Sequence, residues 1–77
     1  MKVLAFGIAK EIVGGTSIDV NAGHITVEEL KTQLEGQFPR LKQLTTFMIA
    51  VNGEYATTGQ IVKQADEVAI IPPVSGG

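Results

Sequence analysis

The chain has 77 residues and a mass of 8.1 kDa, a size at which roughly 60% of the unfolded surface is buried on folding, so the sequence predicts one domain with a thin core and argues against an autonomous enzyme with a deep, many-looped cleft. It contains no cysteine and one histidine, which excludes disulfide scaffolds, thiolate zinc sites, a cysteine nucleophile and a two-histidine metal site. Six Lys and Arg against eight Asp and Glu give a net charge of −2 with no basic cluster, a poor match for nucleic acid, while 44% hydrophobic and 18% charged residues predict a globular chain.

Lys2-Val3-Leu4-Ala5-Phe6 is a short apolar run ended by Gly7, of a length that suits a buried strand. It follows Met1 with no signal-peptide pattern. No apolar stretch approaches the ~20 residues of a membrane span, so the expectation is a cytoplasmic protein with no membrane partner. Ile8 to Val13 can form a helical turn or two, which Gly14-Gly15 then breaks. Thr16 to Asn21 alternates polar and apolar residues, the period of a half-buried strand. Thr26 and Glu29 make a capping box, with Ile25 placed to staple onto Leu30. From there Val27, Leu30, Leu34 and Phe38 form an apolar stripe, and Pro39 ends the helix. Arg40 to Thr45 reads as a connection with Leu41 and Leu44 packed beneath it. Thr46 to Val51 is strand-like, and Asn52-Gly53 after it is a strong hairpin signal, so Glu54-Tyr55-Ala56 becomes the return strand. Thr57 to Gln64 is a weakly patterned crossing, and Glu67 to Ile71 is a last strand stopped by Pro72-Pro73.

This order is an α+β pattern, and two hairpin-like pairs flanking one amphipathic helix suggest the ubiquitin-like β-grasp: a mixed sheet of four to five strands around one main helix. Its first and last strands would lie side by side in the middle. The expected organisation is a domain over residues 1–73 followed by a flexible tail over 74–77. Strand parity then separates the two faces. Lys2 places Leu4 and Phe6 outward, Glu67 does the same for Ala69 and Ile71, and Val3, Ala5, Val68 and Ile70 are left to meet the helix. Parity alone leaves two accounts of Phe6 and Ile71: an exposed interaction patch, which Tyr55 would extend, or side chains covered by a loop.

No side chain presents itself as a catalyst. His24 stands alone in a polar turn, Asp66 and Glu67 fall on opposite faces of a strand, Glu28 and Glu29 suit a helix N-terminus, Ser75 has no partner histidine in sequence reach, Ser17 sits in a polar-facing strand position, and Gly14-Gly15 lacks the phosphate-loop frame. The remaining group is the terminal carboxylate. Gly76-Gly77 presents no side chain to a narrow channel, and Pro72-Pro73 would hold the thread away from the globule. Adenylation by ATP would convert the Gly77 carboxylate into a mixed anhydride open to a sulfur nucleophile.

The run Asp66-Glu67-Val68-Ala69-Ile70-Ile71-Pro72-Pro73-Val74-Ser75-Gly76-Gly77 closely resembles the C-terminal signature of the molybdopterin synthase small subunits, a family of ubiquitin-like sulfur carriers. Lys2-Val3-Leu4-Ala5-Phe6, Lys10-Glu11-Ile12-Val13-Gly14, Thr26-Val27-Glu28-Glu29-Leu30 and Val51-Asn52-Gly53-Glu54-Tyr55 extend the resemblance over most of the chain. Two departures are Lys10, where the family often has arginine, and Ala65, where a glycine is usual and whose replacement is expected to alter the turn into the last strand. The resemblance implies a Gly77 that is adenylated by a ubiquitin-activating-like adenylyltransferase using ATP, converted to a thiocarboxylate, and discharged onto cyclic pyranopterin monophosphate. The partner would be the large subunit, in a heterotetramer. Gly76 and Gly77 would then be the reactive tail, and Phe6, Tyr55, Ile71, Pro73, Val74 and Ser75 the partner-binding residues. No cofactor or metal would be bound by this chain. The family's apolar sheet surface favours the patch account of Phe6, Tyr55 and Ile71. Alternatives from the same residues are a thiamine-pathway sulfur carrier, a ubiquitin-like protein modifier, or an interaction module with an inert tail.

Overall fold

A computed structural model describes residues 1–44 and 47–72. The elements follow as β1 (Lys2–Ala5), α1 (Gly7–Val13), β2 (Ser17–Asp19), β3 (Ile25–Thr26), α2 (Val27–Gln37), a 3-10 helix (Pro39–Gln43), β4 (Met48–Val51), β5 (Glu54–Tyr55), β6 (Ile61–Val62) and β7 (Val68–Ile71). Five strands form a mixed sheet in the order β2-β1-β7-β4-β5, and β3 pairs with β6 apart from it. The α+β β-grasp expectation is met. Strands β1 and β7 run parallel at the centre, Val3 beside Val68 and Ala5 beside Ile70, and antiparallel neighbours flank them on both sides.

The inner face is the core. Val3, Ala5, Ile49, Val51, Val68 and Ile70 from the sheet join Val27, Leu30 and Leu34 from α2 in one buried cluster, which Ala9, Val20, Leu41, Phe47 and Val62 complete. Val3, Ala5, Val68 and Ile70 are the inward positions that parity assigns, and the α2 residues belong to the stripe that the helical period assigns. Phe38 packs at the margin. In α1 the buried residue is Ala9, while Ile8 is exposed, so the Ile8 and Ile12 spacing does not mark a common buried face: only Ile12 leans on the core.

Local chemistry sets the boundaries. At the start of α2, Thr26 Oγ1 accepts from the Glu29 amide at 3.1 Å, and Glu29 Oε1 accepts from the Thr26 amide at 2.9 Å. Two further first-turn amides, those of Val27 and Glu28, donate to the Gln60 and Thr58 carbonyls at 2.9 and 3.0 Å. The weakly patterned Thr57 to Gln64 crossing satisfies the helix end that the capping box leaves open, then pairs as β6 with β3. A two-residue strand is too short to show a period, which is why the pattern is weak there. At the other hairpin, Asn52 and Gly53 both have positive φ, 53° and 83°, the conformation that a tight two-residue turn demands. The strand expected over Thr16 to Asn21 is confined to Ser17–Asp19, the first strand ends at Ala5 with Phe6 as the extended N-cap of α1, and the connection after Pro39 is a single 3-10 turn with Leu41 buried.

Both capping-box partners report on folding. Bonding to the Thr26 amide, and then to its hydroxyl, holds the Glu29 carboxyl below the usual carboxylate range. A pKa that is lower in the folded state contributes stability above the unfolded value of about 4, and that contribution is lost as pH falls through the lowered native value. In denaturant titrations at neutral pH, Thr26→Ala is expected to cost about 1 kcal/mol. Glu29→Gln should show a shallower loss of stability than the wild type between pH 5 and pH 2, and a parallel pH profile would rule out the linkage.

Candidate functional site

With α2 on the inner face, the outer face of the sheet carries no chain segment of its own among the described residues, and the register decides its relief. Across the middle of the sheet, Leu4 of β1 lies beside Ala69 of β7, Ala69 lies opposite Ala50 of β4, and Ala50 lies opposite Tyr55 of β5. Two alanines side by side, between a leucine and a tyrosine, leave a depression. It measures about 320 Å³ and is lined by Leu4, Phe6, Ala50, Gly53, Tyr55, Glu67, Ala69 and Ile71.

The three sequence-predicted patch residues within the described chain come together here. Phe6 is 50% exposed and Tyr55 67% exposed, and Ile71, half-buried, closes the same end of the trough as Phe6. Nothing covers them within the described residues, so the covered-loop account fails. Met48, 44% exposed and opposite Ile71, extends the apolar end of this face. Sequence reasoning missed Met48 because Phe47 to Val51 is uniformly apolar. The signal was available in the hairpin: once Val51 faces the core, Met48 and Ala50 must face out.

Ile71 is also the last residue of β7, so the apolar end of the trough adjoins the point where the chain leaves the sheet. There Pro72 sits against Gly7, whose φ is +55° and whose missing Cβ would stand 3.2 Å from the Pro72 ring. The exit from β7 is thus packed against the exit from β1. Pro73, Val74, Ser75, Gly76 and Gly77, together with the expected boundary between 73 and 74, lie outside the described residues.

The opposite end of the trough is fixed by a polar clamp that sequence reasoning missed. Asn52 donates from Nδ2 to Asp66 Oδ1 at 3.1 Å and accepts at Oδ1 from the Glu67 amide at 2.9 Å, while its own amide donates to the Glu67 carbonyl at 2.7 Å. Asp66 Oδ2 also accepts from the Lys63 amide at 2.8 Å. That amide bond, then the Asn52 side chain and more weakly the positive charges of Lys63 and His24, hold the Asp66 carboxyl below its ordinary range. The clamp ties the β4–β5 turn to the start of β7 and so fixes both walls. The turn from Lys63 to Asp66 contains Ala65: it is closed by the Asp66 amide donating to the Lys63 carbonyl at 3.0 Å, and Ala65 does not adopt positive φ, so this turn does not require glycine there.

The remaining polar candidates stay apart. His24 is exposed, and no group of three His, Cys, Asp or Glu among the described residues could hold a metal. No described helix is long and apolar enough to cross a membrane. What the site can do chemically is bind another surface beside a chain exit.

Comparison with known proteins agrees with this layout. A family model described as the ThiS family matches residues 3–77. A relative from Dictyostelium discoideum, named molybdopterin synthase sulfur carrier subunit, is 40% identical over 81 residues, covering 99% of this chain and 94% of its own. Among solved structures, SAMP1 from Haloferax volcanii superposes with a TM-score of 0.80 at 29% identity over 99% of this chain and 97% of its own. The crystal structure of the Amycolatopsis orientalis BexX/CysO complex contains a chain matching at a TM-score of 0.72 and 25% identity, over 99% and 98%.

If the outer face is open, hydroxyl-radical labelling of the free protein should modify Phe6, Met48 and Tyr55 readily and spare Phe47, which is 3% exposed. Equal protection of Phe6 and Phe47 would show the face to be covered. Phe6→Asp is expected to leave the melting temperature close to that of the wild type, because a half-exposed side chain gives up little burial.

Proposed function

The chain belongs to the ThiS family, and on that premise we propose that it is the sulfur carrier subunit of a molybdopterin synthase, with Gly77 as the residue that carries the sulfur. The observation that bears most weight is the 40% identity, along 99% of the chain, to a relative of that name. It favours this reading over a thiamine-pathway carrier or a protein modifier.

The chemistry follows from what the chain lacks. With no cysteine, sulfur has to ride on a carbonyl carbon, and a carboxylate resists nucleophiles because charge and resonance oppose attack. An activating enzyme of the ubiquitin-activating type would join the Gly77 carboxylate to AMP from ATP, with pyrophosphate departing. A sulfide-level nucleophile then adds to the carbonyl carbon and AMP leaves, giving the thiocarboxylate. In the large subunit that sulfur would attack a carbon of cyclic pyranopterin monophosphate, and water would then cleave the bond between the Gly77 carbonyl carbon and sulfur, leaving the sulfur on the pterin side and returning the carboxylate. ATP belongs to the activating enzyme, and acid and base groups belong to the large subunit.

On this reading the body of the molecule is a docking plate. Phe6, Tyr55 and Ile71 seat the partner on the outer sheet face, and Pro73, Val74 and Ser75 lead Gly76 and Gly77 into the partner's active centre. Two carriers on a dimeric large subunit would give a heterotetramer. The match to a chain of the BexX/CysO complex supports a protein of this shape working against an enzyme surface.

Incubation with the cognate activating enzyme, ATP and a sulfur donor is expected to convert −COOH to −COSH, read by intact-mass spectrometry. An unchanged mass, with an active enzyme control, would count against every carrier role. Deleting Gly77 should abolish sulfur transfer without moving the melting temperature, since the buried core of the described residues ends at Ile70.

A further inference from the structure

The docking reading says that a partner covers the trough, and the trough itself says more about what enters it. Its floor is two methyl groups, from Ala50 and Ala69, and one long wall is the ring of Tyr55. Its apolar end is closed by Phe6 and Ile71, and its other end by Glu67. The Glu67 backbone is held on both sides by Asn52, so the side chain issues from a fixed point. Its carboxylate takes no part in the side-chain hydrogen bonds among the described residues, whereas the neighbouring Asp66 carboxylate is fully engaged by Asn52 and Lys63. A slot with apolar walls, an aromatic flank and one uncommitted carboxylate is complementary to a side chain that is aliphatic along its stem and cationic and planar at its tip.

Resting on the docking role above, we propose that the trough is a specificity pocket for one arginine side chain of the partner, its stem over Ala50 and Ala69, its guanidinium between the Tyr55 ring and the Glu67 carboxylate. Arginine fits better than lysine because a planar, weakly hydrated guanidinium can stack on an aromatic face while it bonds a carboxylate in bidentate fashion. Arginine fits better than a purely apolar side chain because the latter would bury the Glu67 charge with no partner. The 320 Å³ volume accommodates one such side chain.

The test has two arms. In the first, the full chain is titrated with the large subunit at low and moderate salt. Glu67→Gln is expected to weaken binding about tenfold and flatten its salt dependence, and Glu67→Arg to weaken it by far more. Glu28→Gln, on α2 and so on the other side of the sheet, should leave both unchanged. In the second, the isotopically labelled chain is titrated with a blocked tripeptide Gly-Arg-Gly and its norleucine counterpart, following the amides of Ala50, Tyr55 and Ala69. Only the arginine peptide should shift them, and Glu67→Gln should abolish the shift.

Equal responses to the two peptides, or unchanged affinity and salt slope in Glu67→Gln, would overturn the proposal even if the large subunit binds well. Selective arginine binding with no complex formed by the large subunit would instead sink the molybdopterin synthase reading and leave the pocket standing.

Discussion

The parallel pairing of β1 with β7 is the constraint from which the rest follows. It brings two largely apolar strands together at the centre, Val3 against Val68 and Ala5 against Ile70, and commits one face of both to α2. Because side chains alternate along a strand, the same register commits Leu4, Ala69 and Ile71 to the other face, where the fold provides no second layer among the described residues. The exposed apolar surface is thus not incidental decoration. It is the complement of the core, and it cannot be made polar without touching strands buried on their reverse side.

The parallel pair also couples surface to exit. Strand β7 ends where β1 ends, so Phe6 and Ile71 stand at the same edge of the sheet, and Gly7 and Pro72 meet just beyond them. A partner that covers the trough is therefore already beside Pro72, the last described residue.

Much of this was legible in the amino-acid sequence, and the reason differs between elements. The Thr26 and Glu29 box and the Asn52-Gly53 turn are local: residue type and spacing state the geometry directly, and the structure reproduces both. Parity on the central strands was legible because Lys2 and Glu67 each mark one face. The β3–β6 pair was not, since two residues cannot display a period, and its purpose, feeding carbonyls from Thr58 and Gln60 to the α2 amides, depends on a contact thirty residues apart. The trough was legible only in part. Its rim of Phe6, Tyr55 and Ile71 could be named, whereas its floor exists because Ala50 meets Ala69, a fact of register between strands. The Asn52 and Asp66 clamp lay hidden for the same reason: Asn52 is explained by its turn and Asp66 reads as part of the last strand, whereas it precedes that strand, which starts at Val68. Gly76 and Gly77 are singled out through resemblance and lie outside the described residues.

The sheet ends in a strand of three residues on one side and of two on the other. Unpaired strand borders invite other chains to add on by backbone hydrogen bonding, and brevity is a common defence. A molecule obliged to keep an oily plate open to water thus offers almost no ladder on which copies of itself could stack. Openness on the face is matched by brevity at the borders, which works against stacking of copies edge to edge.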